Sequence, residues 1–243
     1  MQSRIGSALS FFGREALRIV LPSWCVACDR ELPWEERTAS CCAACWSALP
    51  RIQRSKCRSC ALPLPDGAAL CIACSADPLP LVWCEAWGEY RGPLERLLHA
   101  LKFQRHDFLD DALAALLEET LRARGDLAFD AVAGVPMHRA KERKRGYNQA
   151  ELLARALARR IGVACDMTLL ERSHERATQS TLQKQQRAAN VRGAFAASPR
   201  AEGKSVLIVD DICTTGETLR ACAGALVRAG AERVCAVAVA KAV

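Results

Sequence analysis

Apolar positions along the C-terminal two-thirds of the chain switch between two spacings, and the switch predicts alternating strands and helices. Segments 82–90, 130–135, 163–170 and 233–239, together with the unbroken run Val206-Leu-Ile-Val209, read as short strands. The last run has no polar alternation, as expected of a strand covered on both faces. Between the strands, apolar residues recur every three or four positions. Leu94, Leu97, Leu98 and Leu101 predict a helix that follows Gly92-Pro93 and ends near Phe103. Further helices are expected over roughly 108–122, 149–160 and 218–227. Strands alternating with helices specify an α/β fold: a twisted, mostly parallel sheet with helices on both faces.

The first third lacks this pattern. Ile5, Leu9, Phe12, Ala16 and Val20 share one face of an expected N-terminal helix. Arg14, Glu15 and Arg18 interrupt any signal-peptide core, and no apolar run is long enough to span a bilayer. A docking helix is therefore expected rather than a membrane anchor, in a cytoplasmic protein. Cysteines dominate the stretch between this helix and the first strand. The chain has 14, and eight of them form four pairs: Cys25-x-x-Cys28, Cys42-x-x-Cys45, Cys57-x-x-Cys60 and Cys71-x-x-Cys74. That spacing lets two thiolates from one tight turn reach the same tetrahedral zinc. Four pairs suit two structural Cys₄ sites, expected on Cys25, Cys28, Cys42 and Cys45 and on Cys57, Cys60, Cys71 and Cys74, because sequential pairing needs only short connections; an interleaved cross-brace would use the same eight ligands. The interval has little apolar periodicity, so metal would supply the order its small core lacks. Cys41 is a spare beside Cys42. Cys84, Cys165, Cys213, Cys222 and Cys235 sit in apolar surroundings and are expected to pack as small core residues. Pro78, Leu79 and Pro80 mark the exit, giving a cysteine-rich region over 1–80 and an α/β domain over 81–243.

Composition changes this picture little. A chain of 243 residues, 51% hydrophobic and 25% charged, is ordinary for a globular protein. Its net charge of +7 permits a polyanionic partner without demanding one.

The candidate chemistry collects at strand ends. The run 206–209 leads into Asp210 and Asp211, then Ile212, Cys213, Thr214, Thr215, Gly216, Glu217 and Thr218, and then a helix. Acids at the carboxyl end of a buried strand lie where open α/β sheets bind ligands. A small-residue turn entering a helix aims backbone N–H groups at an anion. Carboxylates for sugar hydroxyls and a loop for phosphate together describe a sugar-phosphate site. Gly203-Lys-Ser is not a P-loop, because it precedes the strand and Ser198 stands where the first glycine belongs. A second loop, Pro136-Met-His-Arg139 running on to Asn148, follows the 130–135 strand and carries His138, Arg139, Lys141, Arg143, Lys144 and Arg145. Beside a diphosphate these cations would neutralise a leaving group. Residues 171–190 are polar and weakly periodic, as in a loop or lid.

The 206–219 segment closely resembles the phosphoribosyl-pyrophosphate signature of type I phosphoribosyltransferases. The wider chain resembles the competence protein F-like (ComF/ComFC) family. The matching stretches are the paired cysteines, Leu98-His-Ala-Leu-Lys-Phe103, Val135-Pro136 with Arg145-Gly-Tyr-Asn-Gln149, Arg176-Ala-Thr-Gln179 with Gln186-Arg187 and Asn190-Val191, and Val209 to Thr218. The resemblance implies a zinc region ahead of a type I phosphoribosyltransferase-like domain that binds phosphoribosyl pyrophosphate with Mg²⁺. Asp210 and Asp211 would take the ribose, Thr214 to Thr218 the 5′-phosphate, and Arg139 with its neighbours Pro136, Met137 and His138 the pyrophosphate, with Ile212, Cys213 and Arg176 also lining the ligand site. It further implies a role with incoming single-stranded DNA in natural transformation, alongside the uptake machinery. Lys102, Arg105, Lys141, Arg143, Lys144 and Arg145, with Tyr147 as a stacking platform, are the expected DNA contacts. Two other functions stay open: a metabolic transferase acting on a base or amine, and a non-catalytic sensor of the same ligand. Glu217 departs from the small residue many members carry and adds negative charge near the phosphate pocket.

Overall fold

A computed structural model describes residues 23–33, 40–65, 67–103, 109–172 and 194–243. The expected N-terminal helix, Arg105, and the 172–190 loop beyond Arg172, with Arg176, lie outside the described residues. Among those described, no helix is long and apolar enough to cross a membrane.

Four strands form one fully parallel sheet: β1 (Cys84–Glu89), β2 (Ala131–Gly134), β5 (Ser205–Cys213) and β6 (Arg233–Lys241), in the order β1-β6-β5-β2. β5 and β6 occupy the centre, which explains their unbroken apolar runs. Val206, Ile208, Ala236 and Ala238 point into a core shared with Leu219, Cys222 and Leu226 of the helix α7 (Glu217–Arg228). Leu207, Val209, Val237 and Val239 alternate with them and are equally buried, so both faces of the sheet are covered. The helix α6 (Gln149–Ile161) packs on β2 and β5, and α7 on β5 and β6. The helices α3 (Gly92–Phe103), α4 (Leu109–Arg124) and α5 (Arg139–Arg145) complete the alternation.

Two expectations change. β5 does not stop at Val209 but runs to Cys213, because β6 keeps pairing with it as far as Cys213↔Lys241. The acid pair therefore lies within the strand. The expected 163–170 strand shrinks to one parallel bridge, Val132↔Cys165. Asp166 breaks it: its carboxylate accepts from the Thr168 amide at 3.0 Å and the Thr168 hydroxyl at 2.6 Å, closing a turn. The chain then forms β3 (Leu170–Arg172), which pairs antiparallel with β4 (Phe195–Ala197).

The chain divides into two compact units. One unit takes the described residues up to Pro50 with Arg91–Leu109; the other takes Arg51–Tyr90 with Asp110–Val243. The smaller unit contains the short helix α1 (Ala43–Ser47) and α3, whose Leu94, Leu97, Leu98 and Leu101 are buried. The larger contains the sheet and the short helix α2 (Ile72–Ala76). Residues 51–80 join the sheet body through main-chain bonds. The Ile52 amide donates to the Trp87 carbonyl at 3.0 Å and the Cys84 amide to the Arg58 carbonyl at 2.7 Å.

Gly134 ends β2 where α6 begins. A Cβ there would lie 2.9 Å from the Ala150 carbonyl group and from Glu151 Cα, all main-chain atoms that cannot move aside cheaply. Gly134→Ala is expected to destabilise the protein by about 1–3 kcal/mol through overpacking, read as a lower urea midpoint.

Candidate functional site

The β5–α7 segment carries the central geometry. Asp210 is half-buried and Asp211 buried, on alternate faces of the strand. The Asp211 amide donates to the Asp210 carboxylate at 2.9 Å. Burial and then the adjacent Asp211 charge push the Asp210 carboxyl well above the usual range. Ile212 is half-buried and Cys213 buried; Thr214 and Thr215 are exposed. Gly216 then turns the chain at φ +88° into α7, as its N-cap with no side-chain hydrogen bond. Such a cap leaves first-turn N–H groups facing outward with the helix dipole behind them. Thr218 is half-buried in that turn. Glu217 directs its carboxylate along the helix to Arg220 Nε, 3.3 Å away, and this ion pair offsets its charge.

The second loop starts on the neighbouring strand. β2 pairs Gly134 with Val209, and the Val135 amide donates to the Val209 carbonyl at 2.9 Å. Pro136 and Met137, half-buried, and His138 and Arg139, exposed, thus leave the same sheet edge as the acid-bearing strand. His138 caps α5, its Nδ1 accepting from the Ala140 amide at 3.2 Å. Lys141, Arg143 and Lys144 are exposed along α5, while Arg145 donates to Gln149. Tyr147 is half-buried, and Asn148 anchors the exit by donating to the Val135 carbonyl at 2.9 Å. Lys102 lies on α3 in the smaller unit.

The cysteines gather in two sets, Cys25, Cys28, Cys42, Cys45 and Cys57, Cys60, Cys71, Cys74. Within each set the four Sγ atoms lie within 4.8 Å of one another. Each set pairs consecutive motifs rather than interleaving them. In both, the third cysteine caps a one-turn helix: the Cys45 amide faces Cys42 Sγ and the Cys74 amide faces Cys71 Sγ, both at 3.5 Å. Burial opposes ionisation of Cys25 and Cys57, yet neighbouring backbone N–H donors bring them down to about 6 and about 7. Burial pushes Cys45, Cys60 and Cys74 up. Four-sulfur sets of this kind fit structural zinc, which is bound tetrahedrally. Cys41 stands outside both sets. Its thiol reaches the Cys42 carbonyl at 3.6 Å, and burial pushes it up to about 12.

Lys241 carries a role that sequence reasoning misses. It is only 3% exposed at the end of β6, donates to the Thr214 carbonyl, and has Nζ 3.9 Å from Cys213 Sγ. Its one signal in the sequence is a lysine closing an otherwise apolar strand. Cys213 packs in the core of the sheet, as expected. A hydrogen bond with Cys84 and the Lys241 charge hold its thiol down to about 7 against burial.

Freshly purified protein is expected to contain two zinc ions per chain by metal analysis. Cys71→Ser should reduce that to one, whereas Cys41→Ser should leave two.

Comparison with known proteins agrees with both halves of this architecture. The double zinc ribbon domain family matches residues 16–75, and the phosphoribosyl transferase domain family matches residues 146–242. The chain is 33% identical over 220 residues to the DNA utilization protein YhgH of Salmonella typhimurium, covering 89% of this chain and 96% of that protein. It is 30% identical over 154 residues to competence protein F of Haemophilus influenzae, covering 60% and 67%. A solved purine phosphoribosyltransferase from Pyrococcus horikoshii aligns with 54% of this chain and 71% of its own, at 18% identity and a TM-score of 0.35. Given the near-complete match to YhgH, the chain belongs to the competence protein F-like family, with a double zinc ribbon ahead of its phosphoribosyltransferase domain.

Proposed function

We propose that the protein binds phosphoribosyl pyrophosphate together with Mg²⁺ at the carboxyl ends of β5 and β2, and that it serves the uptake and processing of single-stranded DNA. One observation carries the ligand assignment. An acid pair held in a strand runs directly into a Gly216-capped helix, while a basic loop leaves the adjacent strand. Asp210 and Asp211 would hold the ribose hydroxyls, and residues 212–218 the 5′-phosphate. Pro136 to Arg139, with Arg176, would hold the pyrophosphate. The adjacent carboxylates fit a divalent cation, which would supply charge neutralisation to the diphosphate when bound. Any glycosyl transfer here would rest on positioning and on charge stabilisation as pyrophosphate departs. The DNA role draws on the names of the relatives, a DNA utilization protein and a competence protein, and on the exposed cations of α5. It fits a protein working at the cytoplasmic side of the membrane beside the uptake machinery.

Calorimetry with phosphoribosyl pyrophosphate and Mg²⁺ tests the site. The double variant Asp210→Asn, Asp211→Asn should lose binding and keep its fold; unchanged affinity would remove the acids from the site. Asp210→Asn alone should also raise the melting temperature. The folded carboxyl titrates above its unfolded value, so the native state binds more protons through that window and stability falls as pH rises across it. The gain from Asn should therefore be largest at neutral pH and vanish in acid.

A short single strand titrated by anisotropy at several salt concentrations tests the DNA surface. Replacing Lys141, Arg143, Lys144 and Arg145 with Ala should weaken binding and flatten the log–log salt slope by about 0.7 for each phosphate contact removed. Equal affinity and equal slope would exclude α5 from the DNA path.

A further inference from the structure

The phosphate loop is tied to the second cysteine set and its surroundings at three points and to the sheet at a fourth, all within the larger unit. Cys213 Sγ donates to the main-chain carbonyl of Cys60 at 3.4 Å. Leu79, which packs with Cys57, Cys60, Cys71 and Cys74, places Cδ1 3.0 Å from where a Cβ on Gly216 would stand. Arg220, in the first turn of α7, donates from Nη1 to Asp77 Oδ1 and the Pro78 carbonyl, each at 3.1 Å, and from Nη2 to the Asp77 carbonyl at 2.8 Å. Asp77 is the C-cap of α2, the helix carrying Cys74. From the sheet side, buried Lys241 donates to the Thr214 carbonyl.

Fixing this loop matters because Thr214 and Thr215 are exposed, and Gly216 brings the most backbone entropy to be lost. A phosphate ligand binds more tightly when the N–H groups are already in place. We propose that the second cysteine set is the clamp that holds the phosphate loop in its binding geometry, with Arg220 and Lys241 as positioning residues. Loss of metal from Cys57, Cys60, Cys71 and Cys74 frees the turn that presents the Cys60 carbonyl and the α2 end that presents Asp77, and the loop opens. Among the described residues, none of the four ties comes from Cys25, Cys28, Cys42 or Cys45. The second cysteine set, on this reading, supports the ligand site as well as its own fold. The inference rests on reading this loop as the 5′-phosphate subsite.

The test uses the full zinc-loaded chain and three measurements on the parent, Arg220→Met, Arg220→Lys, Cys71→Ser and Cys42→Ser. Amide hydrogen exchange over 213–219 reports loop order; calorimetry with ribose 5-phosphate, and separately with inorganic pyrophosphate and Mg²⁺, reports the two subsites. Arg220→Met and Cys71→Ser should speed loop exchange about tenfold or more, while amides 206–209 and 234–239 keep their protection. Ribose 5-phosphate should weaken about tenfold, as expected for losing a charged hydrogen-bond set, with pyrophosphate unchanged. Arg220→Lys should recover part of the loss, and Cys42→Ser should change neither reading. Loop exchange equal to the parent in Arg220→Met overturns the clamp, and so does an equal fall for both ligands, which marks general loss of structure. If Cys71→Ser does not fold, Arg220→Met decides. If the parent binds neither ligand, the assignment of the site falls, and loop exchange alone upholds or overturns the clamp.

Discussion

The parallel ladder between β5 and β6 is the constraint on which the site depends. Its register runs from Ser205↔Arg233 to Cys213↔Lys241, well beyond Val209, where the apolar run of β5 ends. Asp210 and Asp211 are consequently fixed by sheet hydrogen bonding, and the loop that comes after them departs from a defined point. The same ladder delivers Lys241 under the loop. A side chain of that type is almost never buried without a partner, and here the Thr214 carbonyl accepts a hydrogen bond from it. On the other edge of β5, pairing with β2 ends at Gly134, so the basic loop leaves beside the acids.

This arrangement works against stability at one point. Neighbouring carboxylates at the edge of a sheet repel each other and lose hydration, and Asp210 titrates high as a result. A fold selected for stability alone would not keep that pair. Charge crowded at the mouth of a loop built for phosphate is the familiar trade between a functional site and the scaffold beneath it.

The cysteine region resolves into two pieces with different neighbours. Both sets share spacing, helical knuckles and amide-to-sulfur contacts. Yet Ile52, just ahead of the second set, and Ala61, within it, belong to the core of the sheet, and the first set belongs to the unit with α3. Repetition in the sequence thus conceals a difference in what each set supports.

Local chemistry determined a good deal by itself. Alternating periodicities specified the parallel α/β body, and α6 begins at Gln149 as its pattern predicts because Asn148 is a strong N-cap. The Cys-x-x-Cys spacing selected the eight sulfurs that the structure gathers, since ligand spacing within a tight turn is a local property. Consecutive grouping was favoured by the short connections it needs, although the spacing alone also fits an interleaved arrangement. Other features depended on contacts distant in sequence. Where β5 ends depends on how far β6 runs beside it. Segment 163–170, by contrast, loses its strand to a local feature, the Asp166–Thr168 turn. Lys241, Arg220 and Leu79 are an ordinary lysine, arginine and leucine until folding brings residues 77–79 and 241 against 213–220. No local pattern encodes such an encounter, because its partners lie far apart along the chain and meet only through tertiary packing.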